Sequence, residues 1–272
     1  MRLLLFIIRV FKESAKDDLF AMAGQLTYKM LLAFFPFLIF LISLMGFMDL
    51  DEVYWMEMLS AALPDQTGSM LEAFFDEVIH TRSFGILSAS LMIAFYHATS
   101  GFFVVMRCVN LTYGQKNSRN FFVNHLISSI LVLMFSLSLI SMLVLMIFND
   151  MIYGLVIQMA PTVPFVQQLF ALVGILIAAG VLLITTMMVY KLSNCKKPRL
   201  RSVMPGAIVT VSLWVLSSKA FNLYINNFTR YSRIYGSIAG VFILIIWLNI
   251  ISTALLLGSK INFLLDKSVT AE

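Results

Sequence analysis

The stretch ALVGILIAAGVLLITTMMVY, residues 171–190, decides the fold class. It contains 20 residues and no charged side chain. A helix rises about 1.5 Å per residue, so a stretch of this length crosses the roughly 30 Å hydrocarbon core of a bilayer. Together with the apolar residues before it, this stretch predicts a membrane-spanning helix over residues 165–190.

Five further stretches have the same character. The six predicted spans cover residues 22–48, 84–106, 125–148, 165–190, 203–225 and 235–259. An even number of spans places both termini on one side of the membrane. We therefore expect an all-α polytopic membrane protein, a six-helix bundle that forms a single membrane domain over residues 1–272.

The composition excludes most other classes of protein. Hydrophobic residues make up 60% of the chain and charged residues only 12%, with a mean hydropathy of +0.92. Soluble domains contain about 25% charged residues, because their surface must face water. These values exclude a soluble enzyme, a disordered chain and a disulfide-built secreted module.

The distribution of positive charge predicts the orientation. Of the 19 Lys and Arg residues, 14 lie in the segments that precede span one, follow span six, or join spans two to three and four to five. Three lie on the opposite face, and Lys29 and Lys219 fall inside spans. The positive-inside rule then predicts that both termini lie in the cytoplasm. The net charge is +5, and we interpret these basic residues as groups that bind anionic lipid headgroups and not nucleic acid.

Two segments outside the spans are predicted to be amphipathic. Residues 1–18 combine an apolar run with Arg9, Lys12 and Lys16, which predicts a helix lying on the cytoplasmic membrane surface. Residues 49–83 carry eight acidic side chains and apolar residues at helical spacing, which predicts two short helices on the outer face. That acidic segment either collects cations at a pore mouth or is simply a solvated face.

Polar side chains inside the spans are the candidate functional residues, because ionisable groups at membrane depth are costly. Gln25, Tyr28 and Lys29 share one helical face, although Lys29 also has the length to extend back to the headgroups. The substrate-path candidates are Gln25, Tyr28, Lys29, Lys219, Asn222, Tyr224 and Asn249. The outer-mouth candidates are Arg230, Tyr231, Arg233 and Tyr235. Pro36 predicts a helix kink, and the GxxxG pair Gly236 and Gly240 predicts close helix packing.

Catalytic and metal-binding patterns are missing from the sequence. Cys108 and Cys195 are isolated, and no HExxH, P-loop or GxSxG motif occurs. His97 is either a packing residue or a proton relay. We therefore expect no enzyme activity, no catalytic residues, no metal and no cofactor.

Two motifs carry a family resemblance that extends over nearly the whole chain. QLTYKMLLAFFP at residues 25–36 and YGSIAG at residues 235–240 resemble the YihY/BrkB family of bacterial inner-membrane proteins, once labelled ribonuclease BN-like. Between them, Asn110, Tyr113 and Arg119 match the family's first cytoplasmic loop, and residues 205–207 (PGA) match its entry to span five. The resemblance implies a six-span protein of the cell envelope and a misassigned ribonuclease label. The family commonly has an acidic residue shortly after the final-span glycine, where this chain has Lys260.

Two functions fit these observations. The first is a permease or exporter that moves a small, anionic or lipid-like solute through a polar path between spans one, five and six. The second is a non-transporting envelope scaffold or lipid-handling accessory protein, in which the polar residues serve as interhelical hydrogen-bonding groups. The expected partners are the lipid bilayer and its anionic headgroups. The sequence also permits a homo-oligomer. No nucleic-acid partner is expected.

Overall fold

The computed structural model describes residues 2–47, 83–115, 119–159, 164–196, 198–227 and 237–269. Within these ranges the chain forms seven helices. They are α1 (Arg2–Lys16), α2 (Leu19–Phe47), α3 (Phe84–Thr112), α4 (Phe121–Met159), α5 (Pro164–Ser193), α6 (Leu200–Asn227) and α7 (Ser237–Val269). The predicted all-α class is confirmed.

Each of the helices α2 to α7 contains one apolar segment long enough to cross a membrane. The six segments are Leu19–Phe40, Phe84–Thr112, Phe121–Met142, Leu172–Ser193, Leu200–Ala220 and Val241–Asp266. They correspond one to one with the six predicted spans. The last apolar segment ends at Asp266, about two helical turns beyond residue 259, where the sequence analysis ended span six.

The amphipathic helix predicted over residues 1–18 is α1, and it is separated from α2 by two residues. Asp18 adopts a left-handed φ of 53°, a conformation in which Asp is enriched among non-glycine residues. The carbonyl oxygen of Asp18 accepts the Met22 amide at 3.1 Å, so α2 begins immediately after the turn. The two short helices predicted within residues 49–83 lie outside the described residues.

The spans carry many large apolar side chains on their outer faces. Leu133 and Leu137 on α4, Leu176 on α5 and Leu216 on α6 are each more than half exposed. A soluble protein rarely exposes contiguous apolar surface of this extent, whereas helices in a bilayer turn such side chains toward the lipid. The exposure pattern therefore agrees with the membrane class.

The chain divides into two compact units. Unit 1 comprises residues 1–17, 105–212 and 255–272, and unit 2 comprises residues 18–104 and 213–254. Both units have apolar cores. The core of unit 1 includes Met106, Val109, Leu131, Val203 and Leu256, and that of unit 2 includes Leu19, Ala23, Leu26, Ala94 and Leu248.

Candidate functional site

Lys29 lies on α2 in unit 2, half-buried within an apolar span. Its Nζ atom is 5.7 Å from the centroid of the Tyr28 ring, and its stem lies against Gly101 of α3. Among the described residues, no carboxylate or hydrogen-bond acceptor pairs with this ammonium group. Gln25 and Tyr28 are exposed on the same helix.

Asn249 on α7 contacts the same segment of α2. Its Nδ2 atom donates to Thr27 Oγ1 at 3.2 Å, and Thr27 Oγ1 in turn donates to the Ala23 carbonyl oxygen at 2.7 Å. One turn further along α7, Ser252 Oγ lies 3.4 Å from Met30 Sδ. These contacts connect α7 to the helical turn of α2 that carries Lys29.

Helix α6 is connected to α7 in the same unit. Trp214 Nε1 donates to the Ile251 carbonyl oxygen at 3.0 Å. Unit 2 therefore contains residues of the three helices for which the sequence analysis predicted a polar path.

The remaining predicted residues are distributed as follows. Lys219 is exposed on α6, Pro36 lies inside α2 without ending it, and Gly240 lies in the first turn of α7. Asn222 and Tyr224 belong to α6, but their side chains are not among those that the structure describes. Arg230, Tyr231, Arg233, Tyr235 and Gly236 lie outside the described residues. His97 packs its ring edge-on against Tyr96, with ring centroids 5.3 Å apart. The path itself stays a prediction.

Unit 1 contains a buried ion pair that the sequence analysis missed. Lys260 on α7 is 1% exposed, and its Nζ atom donates to Asp17 Oδ2 at 2.7 Å. Glu13 Oε2 lies 3.9 Å from the same nitrogen, and the Phe263 ring centroid lies 5.1 Å away. We call these four residues the Lys260 cluster. The cluster attaches α1 to the last part of α7 and compensates the buried positive charge with carboxylates.

A hydrogen-bonded network lies beside the glycines of α6 and α7 in unit 1. The Tyr190 hydroxyl contacts Thr210 Oγ1 and the Leu255 carbonyl oxygen, each at 2.6 Å. Asn262 Oδ1 accepts the Gly206 amide at 2.6 Å. A Cβ atom on Gly258 would overlap the Thr210 and Tyr190 hydroxyl groups and the backbone of Gly206. Glycine at this position therefore permits the close approach of α6 and α7.

Asn110 connects the end of α3 to the turn between α5 and α6. Its Nδ2 atom donates to the carbonyl oxygens of Met106 at 2.8 Å and Ser193 at 3.0 Å. Its Oδ1 atom accepts the Cys195 amide at 2.9 Å. The buried Asn110 thus satisfies three backbone groups at a helix end.

Arg119 binds the carboxyl end of α5. Its guanidinium group donates to the carbonyl oxygens of Leu192 at 2.9 Å and Asn194 at 2.8 Å. A cation at this position satisfies carbonyl groups that lack helical partners and complements the negative end of the helix dipole. Arg119 and Asn110 are therefore structural residues of unit 1.

Tyr113 follows the end of α3 in the same unit. Burial, with a smaller contribution from the negative charge of Asp266, raises the pKa of Tyr113 from its ordinary value of 10.0 to about 12. Its ring packs edge-on against Phe263, with centroids 5.2 Å apart. Tyr113 is therefore neutral at physiological pH.

A family model described as virulence factor BrkB matches residues 10–272. The chain belongs to the virulence factor BrkB family. This confirms the family resemblance and, with the six apolar helices, identifies a multi-pass membrane protein.

Individual relatives of this BrkB-family chain agree with the assignment. It is 28% identical over 262 residues to the ribonuclease-like protein YfkH of Bacillus subtilis (strain 168), covering 96% of this chain and 95% of that protein. It is 31% identical over 87 residues to a UPF0761 membrane protein of Pseudoalteromonas translucida, covering 32% of this chain and 29% of that protein. No solved structure matches the chain.

The placement of Lys260 corrects one sequence inference about this BrkB-family chain. The sequence analysis placed Lys260 in the segment after span six, but Lys260 lies inside α7, which continues to Val269, and its side chain is buried. The apolar pattern continues through Ile261, Phe263, Leu264 and Leu265, and this continuation was the available signal. Where the resemblance leads one to expect a carboxylate, the chain has a buried cation paired with Asp17, which directly follows α1, and close to Glu13 of α1.

Proposed function

We propose that this BrkB-family protein is a bacterial inner-membrane permease or exporter. Its solute is small and either anionic or lipid-like, and it passes along α2, α6 and α7 in unit 2. The protein is not an enzyme on this proposal, and both termini lie in the cytoplasm. The printed name of YfkH describes a ribonuclease-like protein, whereas among the described residues of this chain no group of three or more His, Cys, Asp or Glu side chains could hold a metal ion.

The observation that carries the proposal is the contrast between two lysines in apolar helices. The charge of Lys260 is compensated by Asp17 at 2.7 Å, so it has little capacity to attract another anion. Lys29 has only the face of the Tyr28 ring within the described residues, a contact worth about 1 kcal/mol. Two charges 4 Å apart at an effective dielectric constant of 20 attract by about 4 kcal/mol. An anion beside Lys29 would supply that missing compensation.

The proposal is tested by flux through reconstituted protein. Liposomes containing the full chain are assayed for transbilayer movement of fluorescent phosphatidylglycerol, with fluorescent phosphatidylcholine as the zwitterionic comparison, and for efflux of small organic phosphates. We expect movement of an anionic probe that Lys29→Met reduces at least tenfold and Lys29→Arg largely retains. The matched control is Lys196→Met, which removes an exposed lysine of the turn between α5 and α6. Failure to move any anionic probe above empty liposomes, or equal loss in Lys196→Met, contradicts the proposal.

One observation favours the scaffold alternative. Asn249 is already hydrogen-bonded to Thr27, and such a bond stabilises helix packing without any transport role. On the scaffold hypothesis, Asn249→Ala and Lys29→Met both lower thermal stability and no probe moves. On the permease hypothesis, Lys29→Met keeps the thermal stability of the parent and loses flux.

The proposed orientation is tested separately. Both native cysteines are first replaced by serine. One variant then carries a single cysteine in place of Lys196, an exposed residue in the turn between α5 and α6, and a second variant carries it in place of Ser83 before α3. In intact spheroplasts, a membrane-impermeant maleimide should label the cysteine at residue 83 and not that at residue 196. The opposite pattern contradicts cytoplasmic termini.

A further inference from the structure

We propose that α1 is a docking helix for an anionic bilayer surface, and that its contact with α7 determines which of its faces enters the lipid. This goes beyond the transport proposal and does not depend on it. The sequence analysis predicted an amphipathic helix on the cytoplasmic membrane surface, and the burial of its faces now assigns the residues that enter the lipid.

The face of α1 that packs within unit 1 is defined by burial and by the Lys260 cluster. Val10 is buried, and Ser14, one turn later, is fully buried. Glu13 and Asp17, also one turn apart, direct their carboxylates to the Lys260 ammonium group. These residues define the face of α1 that packs within unit 1.

The next face around the helix is apolar and exposed. Ile7 is 44%, Ile8 is 54% and Phe11 is 52% exposed. Residues at i, i+3 and i+4 lie side by side on a helix, so these three side chains form one continuous patch. An exposed patch of this kind at the end of a polytopic membrane protein matches the hydrophobic side of an interfacial helix.

The third face carries the positive charge. Arg9, Lys12 and Lys16 are exposed and follow one another at i, i+3 and i+7. Lys12 lies one turn after Ile8 and beside the apolar patch, whereas the Nζ atom of Lys16 also lies 3.5 Å from Glu13 Oε1. Basic side chains beside an inserted apolar face bind anionic headgroups, and each one increases the ratio of docked to undocked helix about fivefold. This charge complementarity identifies an anionic lipid surface as the partner.

The experiment measures the depth of two labelled positions in the full-length protein. Spin labels are attached at Ile8→Cys or Lys12→Cys in a background with both native cysteines replaced, and the protein is placed in nanodiscs. Collisions with oxygen, which concentrates in the bilayer, are compared with collisions with a water-soluble nickel chelate. The nanodiscs contain phosphatidylcholine alone or mixed with phosphatidylglycerol.

We expect the label at residue 8 to be accessible to oxygen and shielded from the chelate, and the label at residue 12 to show the reverse. Adding phosphatidylglycerol should increase the docked fraction, and Arg9→Gln should reduce that increase about fivefold. Equal exposure of both labels to the chelate overturns the proposal. Insertion that is indifferent to phosphatidylglycerol overturns the assignment of an anionic partner. Dipolar broadening between labels at residue 8 would identify a second copy of the chain as the occupant and also overturn it.

Discussion

Replacing Asp17 and replacing Lys260 in the Lys260 cluster should lower the free energy of unfolding by different amounts. Lys260 is 1% exposed, so Asp17→Ala leaves an ammonium group buried with only the more distant Glu13 carboxylate. Stranding one member of a buried ion pair costs about 3–5 kcal/mol. Lys260→Met instead strands carboxylates that are 28% and 34% exposed and can be hydrated, so we expect a loss of about 1–2 kcal/mol.

The double variant makes the prediction sharper. Asp17→Ala with Lys260→Met removes both charges and replaces the buried lysine with an apolar side chain of similar length. Because such replacements are close to neutral, the double variant should be no less stable than Lys260→Met by more than about 1 kcal/mol. It should therefore be more stable than Asp17→Ala alone.

The buried thiol of Cys108 provides the assay. Cys108 is 2% exposed and lies in unit 1, so in a Cys195→Ser background its maleimide labelling reports opening of that unit. Rates in mild detergent are divided by the rate of the same variant unfolded in dodecyl sulfate, which corrects for changes in thiol reactivity. A loss of 3 kcal/mol raises the labelling rate more than a hundredfold.

The matched control uses the other ion pair of Glu13. Lys16 Nζ lies 3.5 Å from Glu13 Oε1, but the Lys16 side chain is 62% exposed. Lys16→Met should therefore change stability by about 0.5 kcal/mol or less. If Asp17→Ala costs no more than Lys16→Met, or if the losses of the two single variants simply add in the double variant, the interpretation of Lys260 as a compensated buried charge is wrong.

Three further predictions concern unit 1; the first two are measured with the same labelling assay and the third by thermal unfolding as a function of pH. Asn110→Ala leaves buried backbone groups unsatisfied and should cost about 2–4 kcal/mol, whereas Asn110→Gln should fail to restore the parent rate. Gly258→Ala forces α6 and α7 apart and should cost at least about 2 kcal/mol, while Gly180→Ala, with open space around it, should be neutral or stabilising. The pKa of Tyr113 is about 12 in the folded protein and about 10 in the unfolded chain, so between these values the unfolded chain loses the phenol proton first. The free energy of unfolding should therefore fall as pH rises from about 10 to 12. Tyr113→Phe, which keeps the ring, should lessen that fall, and an unchanged alkaline profile would contradict a buried neutral phenol.

The membrane class and the six spans were predictable because their signal is local. A run such as residues 171–190 is apolar throughout, and no distant residue is needed to interpret it. The ends of the helices were less predictable, because α4 and α7 continue well beyond the apolar core that defines a span. The extended α7 is the reason that Lys260 was assigned to a loop.

The polar contacts of unit 1 could not be predicted, because each joins residues far apart in sequence. Asn110 reaches Ser193 across 83 positions, and Lys260 reaches Asp17 across 243. Nothing in the local sequence of either residue specifies its partner. The family resemblance drew attention to Asn110 and Arg119, but only the structure shows that they bind the carboxyl end of α5.

The placement of Lys260 changes how positive charge in this chain is interpreted. Removing it from the 14 charges assigned to the cytoplasmic face leaves 13 against three, so the orientation argument retains its direction. The larger change concerns the search for a solute site, because four lysines, and not two, lie in the apolar helical segments of the described residues. Lys260 is compensated within unit 1, Lys219 is exposed, and Lys191 lies in the last turn of α5. A substitution that abolishes flux should therefore be found at Lys29, whereas substitutions at Lys260 should act on stability.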